Sequence, residues 1–263
     1  MDSIPNGPLD GNLASKVPHV AGMFWLVKIL ATTVGETGGD SVSMTMRLGY
    51  ANASLIFLAF FGITLAIQVA ATRYRPFAYW SVVVATTTVG TTLSDYLDRT
   101  AGLGYVISSI LLFCGVLAAL FTWRSVVGRI KFENIATRKE ECFYWVTILV
   151  SNTLGTALGD FVASTTGMGF ENGALLFTGL LAILAVAYFG LRKIPASALF
   201  WSAYVLTRPL GATLGDTLTK PYAEGGLHLS RIASSLTIAA LMVAGILVMP
   251  RGKEALAEPS ASA

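Results

Sequence analysis

The sequence predicts an all-α polytopic membrane protein: eight transmembrane helices forming four parallel helical-hairpin repeats in two halves. Three observations predict it. The chain is 54% hydrophobic and only 13% charged over 263 residues, whereas soluble domains carry about 25% charged residues. Its interior is filled by apolar runs, each allowing about 20 residues of helix, enough for a ~30 Å hydrocarbon core. Finally, one pattern, Trp-x9-Gly-x4-Asp, recurs four times without a gap. A β-barrel is excluded, because the runs are too long and do not alternate.

The elements follow in order. Residues 1–19 are acidic, carry Pro and Gly and lack a basic n-region, so they read as a cytoplasmic leader without fixed structure rather than a signal peptide. The first half, 20–123, holds runs at about 20–43, 51–71, 76–97 and 103–123. A basic cytoplasmic loop, 124–140, follows. The second half, 141–249, holds runs at about 141–163, 171–191, 196–218 and 227–249, and 250–263 is a polar tail. With the N-terminus inside, the outer loops carry only Arg47, Arg99, Lys220 and Arg231, and most other cations fall on the inner side. That positive-inside bias predicts a bacterial inner-membrane protein with both termini cytoplasmic. Cys114 and Cys142 suggest neither a disulfide framework nor a metal spacing.

The repeats run Trp25–Asp40, Trp80–Asp95, Trp145–Asp160 and Trp201–Asp216. Nine residues after each Asp stands another glycine: Gly49, Gly104, Gly169 and Gly225. Each unit contains two spans, so all four share one orientation, unlike the inverted pairs of many transporters. The four aspartates therefore belong at one level, near the outer ends of the odd-numbered helices. The tryptophans belong at the inner ends, where aromatic belts lie.

Two faces of the odd helices carry information. One holds small residues four apart: Gly35 and Gly39, Gly90 and Ser94, Gly155 and Gly159, Gly211 and Gly215. This small-xxx-small pattern lets helix backbones approach closely in lipid. Beside it runs a polar stripe at fourfold spacing: Lys28–Thr32–Glu36–Asp40, Thr87–Thr91–Asp95, Asn152–Thr156–Asp160 and Arg208–Ala212–Asp216. A loop cap would need only the Asp. Thr, Asn, Lys and Arg deeper in the span predict an inward-facing stripe, since polar groups facing lipid are unfavourable.

Charge suggests the ligand. Glu36 and the four aspartates face only two internal positives, Arg208 and Lys28, which leaves three carboxylates expected to lack an internal partner. Such clusters bind protons or attract a cation. Carboxylates and threonine hydroxyls are hard oxygen ligands, suited to Mg²⁺, Ca²⁺, Mn²⁺ or Na⁺. With only His19 and His228, a zinc or copper path is disfavoured. Arg208 is the expected internal counter-charge. Lys28, one turn from the inner interface, is expected to snorkel, and Asp98, Arg99, Glu171, Lys220 and Glu224 to be solvated in outer loops. Pro209 predicts a kink.

Over residues 20–250, the four Trp…Gly-x-Thr-x-x-Asp hairpins resemble a family of uncharacterised bacterial multi-pass proteins described as membrane-anchored; the resemblance implies the fold and no activity. The stretch Glu-Thr-Gly-Gly-Asp-Ser at Glu36–Ser41 also resembles the Glu-x-Gly-Asp-[Lys/Arg]-[Ser/Thr] motif of manganese and calcium exporters. It has one extra residue between Glu and Asp and no cation after Asp40, and the resemblance implies oxygen-ligated cation chemistry.

The sequence therefore predicts a secondary transporter or channel-like carrier of a small cation, divalent or proton-coupled, and no enzyme. Asp40, Asp95, Asp160 and Asp216 are the expected cation or metal ligands, with Glu36, Thr91, Thr156 and Asn152 beneath them. No bound cofactor is expected beyond the transported cation. The expected partners are the lipid bilayer and that cation, not nucleic acid. The rival expectation is a non-transporting scaffold or subunit whose glycine faces pack helices and whose aspartates cap outer loops.

Overall fold

The computed structural model describes residues 16–130, 135, 137–190 and 194–249. Most of the leader, part of the basic loop and the whole tail expected from the sequence lie outside them. The described residues form eight α-helices and no strand: α1 (Gly22–Asp40), α2 (Gly49–Ala70), α3 (Pro76–Asp95), α4 (Gly104–Val127), α5 (Arg138–Asp160), α6 (Phe170–Gly190), α7 (Ala196–Thr219) and α8 (Arg231–Val248). Local chemistry sets several boundaries. Pro76 opens α3, where its missing N–H is harmless. A capping box starts α5: Glu140 N–H donates to Thr137 Oγ1 at 3.2 Å and Thr137 N–H to Glu140 Oε2 at 3.4 Å. Gly128 ends α4 in the left-handed region, at φ 85°.

After Asp40, Asp95 and Asp160 the inner helices widen into one π-helical turn, at 41–45, 96–100 and 161–165. The fourth repeat lacks this turn and has a short 3-10 turn at Tyr222–Glu224. Gly49, Gly104, Gly169 and Gly225 all lie at φ between 71° and 80°. Non-glycine residues rarely take that conformation, which accounts for one glycine at the same place in every repeat.

The odd helices α1, α3, α5 and α7 form a closed inner ring, each touching the next and α7 touching α1. The even helices coat it with a one-place offset. Each packs mainly on the inner helix of the following repeat: α2 on α3, α4 on α5, α6 on α7, and α8 back on α1. The sequence hairpin is thus not the packing unit.

Five helical segments are long and apolar enough to cross a membrane: α2, α4, α5 with its π-turn, α6 and α8. The outer helices expose Leu55, Ile63, Ile110, Phe121, Ile183, Phe189, Leu236 and Leu247 among others. That is far more contiguous apolar surface than a soluble monomer presents. The other inner helices, α1, α3 and α7, fall below that standard because threonine, glycine and charged residues occupy their faces.

Candidate functional site

Glycines set the spacing of the ring. A Cβ on Gly35 would collide with Thr87, one on Gly155 with Arg208, and one on Gly211 with Thr32. On Gly90 it would lie 2.9 Å from the backbone carbon of Asn152. Each glycine thus receives the stripe residue of the next repeat, and the fourth receives that of the first. Backbones this close admit cross-helix hydrogen bonds. Thr87 Oγ1 donates to Ala31 O, Thr91 Oγ1 to Gly35 O and Thr32 Oγ1 to Thr207 O, each at 3.2 Å. Asn152 Nδ2 donates to Thr86 Oγ1 at 2.9 Å, so this expected ligand is bound to α3.

The four stripes point into the ring, and the side chains in them are almost fully buried. At one end lies an aromatic plug. Tyr79 and Tyr144 share a hydrogen bond between their hydroxyls at 2.6 Å. The indoles of Trp80, Trp145 and Trp201 pack edge-on around Tyr79 and Tyr144. These three tryptophans are core residues rather than an interfacial belt, and only Trp25 of the four is half-buried. The inner helices are shielded by the outer ones, so their aromatic residues face one another instead of lipid headgroups. Lys16 and Val17 seal the same end. Lys16 Nζ pairs with Glu141 at 2.9 Å and reaches Val69 O, and Gln68 Nε2 donates to Lys16 O.

In the middle, the Arg208 guanidinium spans the ring. Its Nη2 donates to Glu36 Oε2 at 3.0 Å and to Thr91 Oγ1 and Thr156 Oγ1 at 2.6 Å each. Nη1 reaches Thr32 O at 3.4 Å. One cation from α7 therefore binds α1, α3 and α5 together. Lys28 does not snorkel. It is fully buried, with its ammonium 4.2 Å from the centre of the Tyr204 ring, because its stripe faces the inside of the ring.

At the other end the four aspartates are almost fully buried, in two clamped pairs. Lys220 Nζ lies 3.2 Å from Asp40 Oδ2 and 3.3 Å from Asp216 Oδ1. Arg99 lies 3.1 Å from Asp95 Oδ1 and 3.5 Å from Asp160 Oδ2. Arg231 adds a contact to Asp40 at 3.5 Å. Oxygens of Glu36, Asp40 and Asp216 lie within 4.8 Å of one another. The parallel inner helices also end here, each adding a partial charge of about −0.5. Burial alone would lower the pKa of the Lys220 ammonium, but the carboxylates of Asp216, Asp40 and Asp160 outweigh it and hold it well above the ordinary lysine value.

This end corrects two expectations. Every one of the five carboxylates has a cation within 3.5 Å, so none is left without an internal partner. Lys220 and Asp98 are buried rather than solvated, while Glu171 and Glu224 are exposed. Arg99 is exposed, as expected, yet reaches two carboxylates. The clamps were missed although a signal was present: Lys220 and Arg99 each follow an Asp by four residues, in repeats two and four only. Residues at that spacing meet on a helix, and the alternation makes the acidic layer twofold rather than fourfold.

A family model described as "Repeat of Unknown Function (DUF347)" matches residues 23–74, 78–128, 143–193 and 199–251. These are the four repeats. The match carries neither the exporter resemblance nor a bacterial source. No curated protein and no solved structure matches the chain.

Proposed function

The chain belongs to the DUF347 repeat family, and we propose that it is an eight-span membrane carrier for a small cation whose resting state is held by a tethered cation of its own. The observation that carries this reading is the Lys220 ammonium between Asp40 and Asp216, beside Glu36. An ammonium between two buried carboxylates stands in for a free cation at the same oxygens. When the Lys220 side chain swings out, Asp40, Asp216 and Glu36 present hard oxygen ligands to Mn²⁺, Mg²⁺, Ca²⁺ or Na⁺. Return of the ammonium expels the cation. Arg99 does the same for Asp95 and Asp160. Arg208 sets the depth that the cation reaches from the acidic end, because Glu36, Thr91 and Thr156 are bound to it.

The even helices, facing lipid, allow α1, α3 and α7 to span although they are too polar to do so unshielded. The positive-inside bias supports an orientation with the acidic end outside, and the membrane of this reading is a bacterial inner membrane.

The test is uptake into proteoliposomes carrying the full chain, screened with Mn²⁺, Mg²⁺, Ca²⁺ and Na⁺. Wild type should accumulate at least one of them. Asp40→Asn and Asp216→Asn should abolish uptake while still inserting and folding. No uptake of any of these ions by well-folded wild type, or uptake unchanged in both variants, rejects the carrier. The pairing of all five stripe carboxylates favours one second reading, a non-transporting scaffold whose charges lock the ring. Silent wild type with strongly destabilised Asp variants is its signature.

A further inference from the structure

Each of the five stripe carboxylates has a cation, but the opposite imbalance exists deeper in the ring. Lys28 is fully buried, and its ammonium has no hydrogen-bond acceptor among the described residues. Its neighbours do not supply one. The Tyr204 ring offers a π-face at 4.2 Å, which offsets only part of a buried positive charge. The charged group that acts on it is Arg208, of like sign. Arg208 spends its terminal nitrogens on Glu36 and the ring threonines, but its Nε–H is buried without an acceptor. Tyr204, one turn from Arg208 on the same helix, has a buried hydroxyl that faces only the Tyr79 hydroxyl and makes no well-formed hydrogen bond with it. The buried indole N–H of Trp201, whose ring lies 5.6 Å from that of Tyr204, also lacks an acceptor.

These groups share one property: each has hydrogen to donate and nothing to receive it. Two are cations that repel each other. Buried donors of this kind are nearly always satisfied in native proteins, and an unpaired buried charge is tolerated only with a counter-charge. The missing chemistry is an acceptor with negative charge, small enough for a tightly packed ring. The geometry points to a binding site for a small inorganic anion of the halide class, held by the Lys28 ammonium, Arg208 Nε–H and the Tyr204 hydroxyl. Its place is between the aromatic plug and the Arg208 bridge. The anion joins two cations from α1 and α7, the helices that close the ring. It lies on the far side of Arg208 from the aspartates and does not depend on the cation reading.

The experiment uses the purified full chain in detergent, titrated with sodium chloride or sodium bromide against sodium gluconate at constant sodium and ionic strength. The thermal midpoint should rise saturably with halide and not with gluconate. In Lys28→Met, which keeps the length and apolar stem, the halide response should disappear. In Tyr204→Phe, which keeps the ring, halide affinity should weaken several-fold. Bromide soaked into wild-type crystals should give an anomalous peak beside Lys28 Nζ, and this holds whether or not the variants fold. Equal midpoints in halide and gluconate, an undiminished response in Lys28→Met, or no bromide at Lys28 overturns the proposal. Cation uptake measured in gluconate is a separate readout, so the two proposals fail separately.

Discussion

The two ends of the inner ring are built from the same four helices by different physics. The aromatic end is held by contact: ring against ring, Tyr79 to Tyr144, with Lys16 and Val17 laid across it. The acidic end is held by charge, through two clamps whose cations come from beyond the inner helices' α-helical portions. Contact is short-ranged and indifferent to ions. Charge pairs respond to any competing ion that reaches them. The difference teaches that a symmetric sequence repeat can encode one end held by packing and one held by charge.

The largest effect should come from the bridge between the ends. Arg208→Met leaves Glu36 buried and unpaired, which typically destabilises by about 3–5 kcal/mol. The double variant Arg208→Met with Glu36→Met should recover much of that in thermal unfolding. If it does not, the bridge is more than a charge pair. Next comes the spacing of the ring: Gly90→Ala pushes a methyl into the Asn152 backbone. It should lower stability by about 1–3 kcal/mol, whereas Gly62→Ala, which meets open space on α2, should be neutral or slightly stabilising.

Smaller effects separate the ends. Tyr144→Phe removes the 2.6 Å hydroxyl pair and should cost about 0.5–1.5 kcal/mol, by the same amount at low and high salt. Arg99→Gln removes a clamp that is partly solvent-exposed. Its loss should shrink as sodium chloride rises, because sodium can take the place of the missing charge beside Asp95 and Asp160. An equal salt response in both variants would erase the distinction. Smallest of all is the pH effect of Lys220, a group whose pKa is raised on folding. Its contribution is fully present below the unfolded lysine value of about 10.4 and fades only as pH climbs past the higher folded value. Comparing wild type with Lys220→Met should therefore show a constant gap from pH 6 to 9.

Much of this architecture was legible because it is periodic. The Trp, Gly and Asp positions marked the inner helices, their common direction and the faces that meet. The glycine nine residues after each Asp marked a turn that only its backbone geometry explained. What could not be read was pairing. Hydropathy along the chain cannot tell which inner helix an outer helix will coat, because lipid-facing leucines fit any neighbour. The reach of Arg99 and Lys220 could not be read: each takes one partner four residues back and a second from the adjoining repeat, 61 and 180 residues away. The exposed Cys114 and Cys142 contribute nothing to the ring.

The one-place offset of the coat has a consequence for synthesis. The first helix made receives its covering from the last, with Ser235 bonding Thr37 at 2.8 Å and Gly245 pressed against Val27. Until α8 leaves the ribosome, the ring stands with the outer face of α1 uncovered. The coat can therefore close only after α8 has been made. A chain stopped before α8 should be a substrate for quality-control proteases rather than a smaller working version of itself.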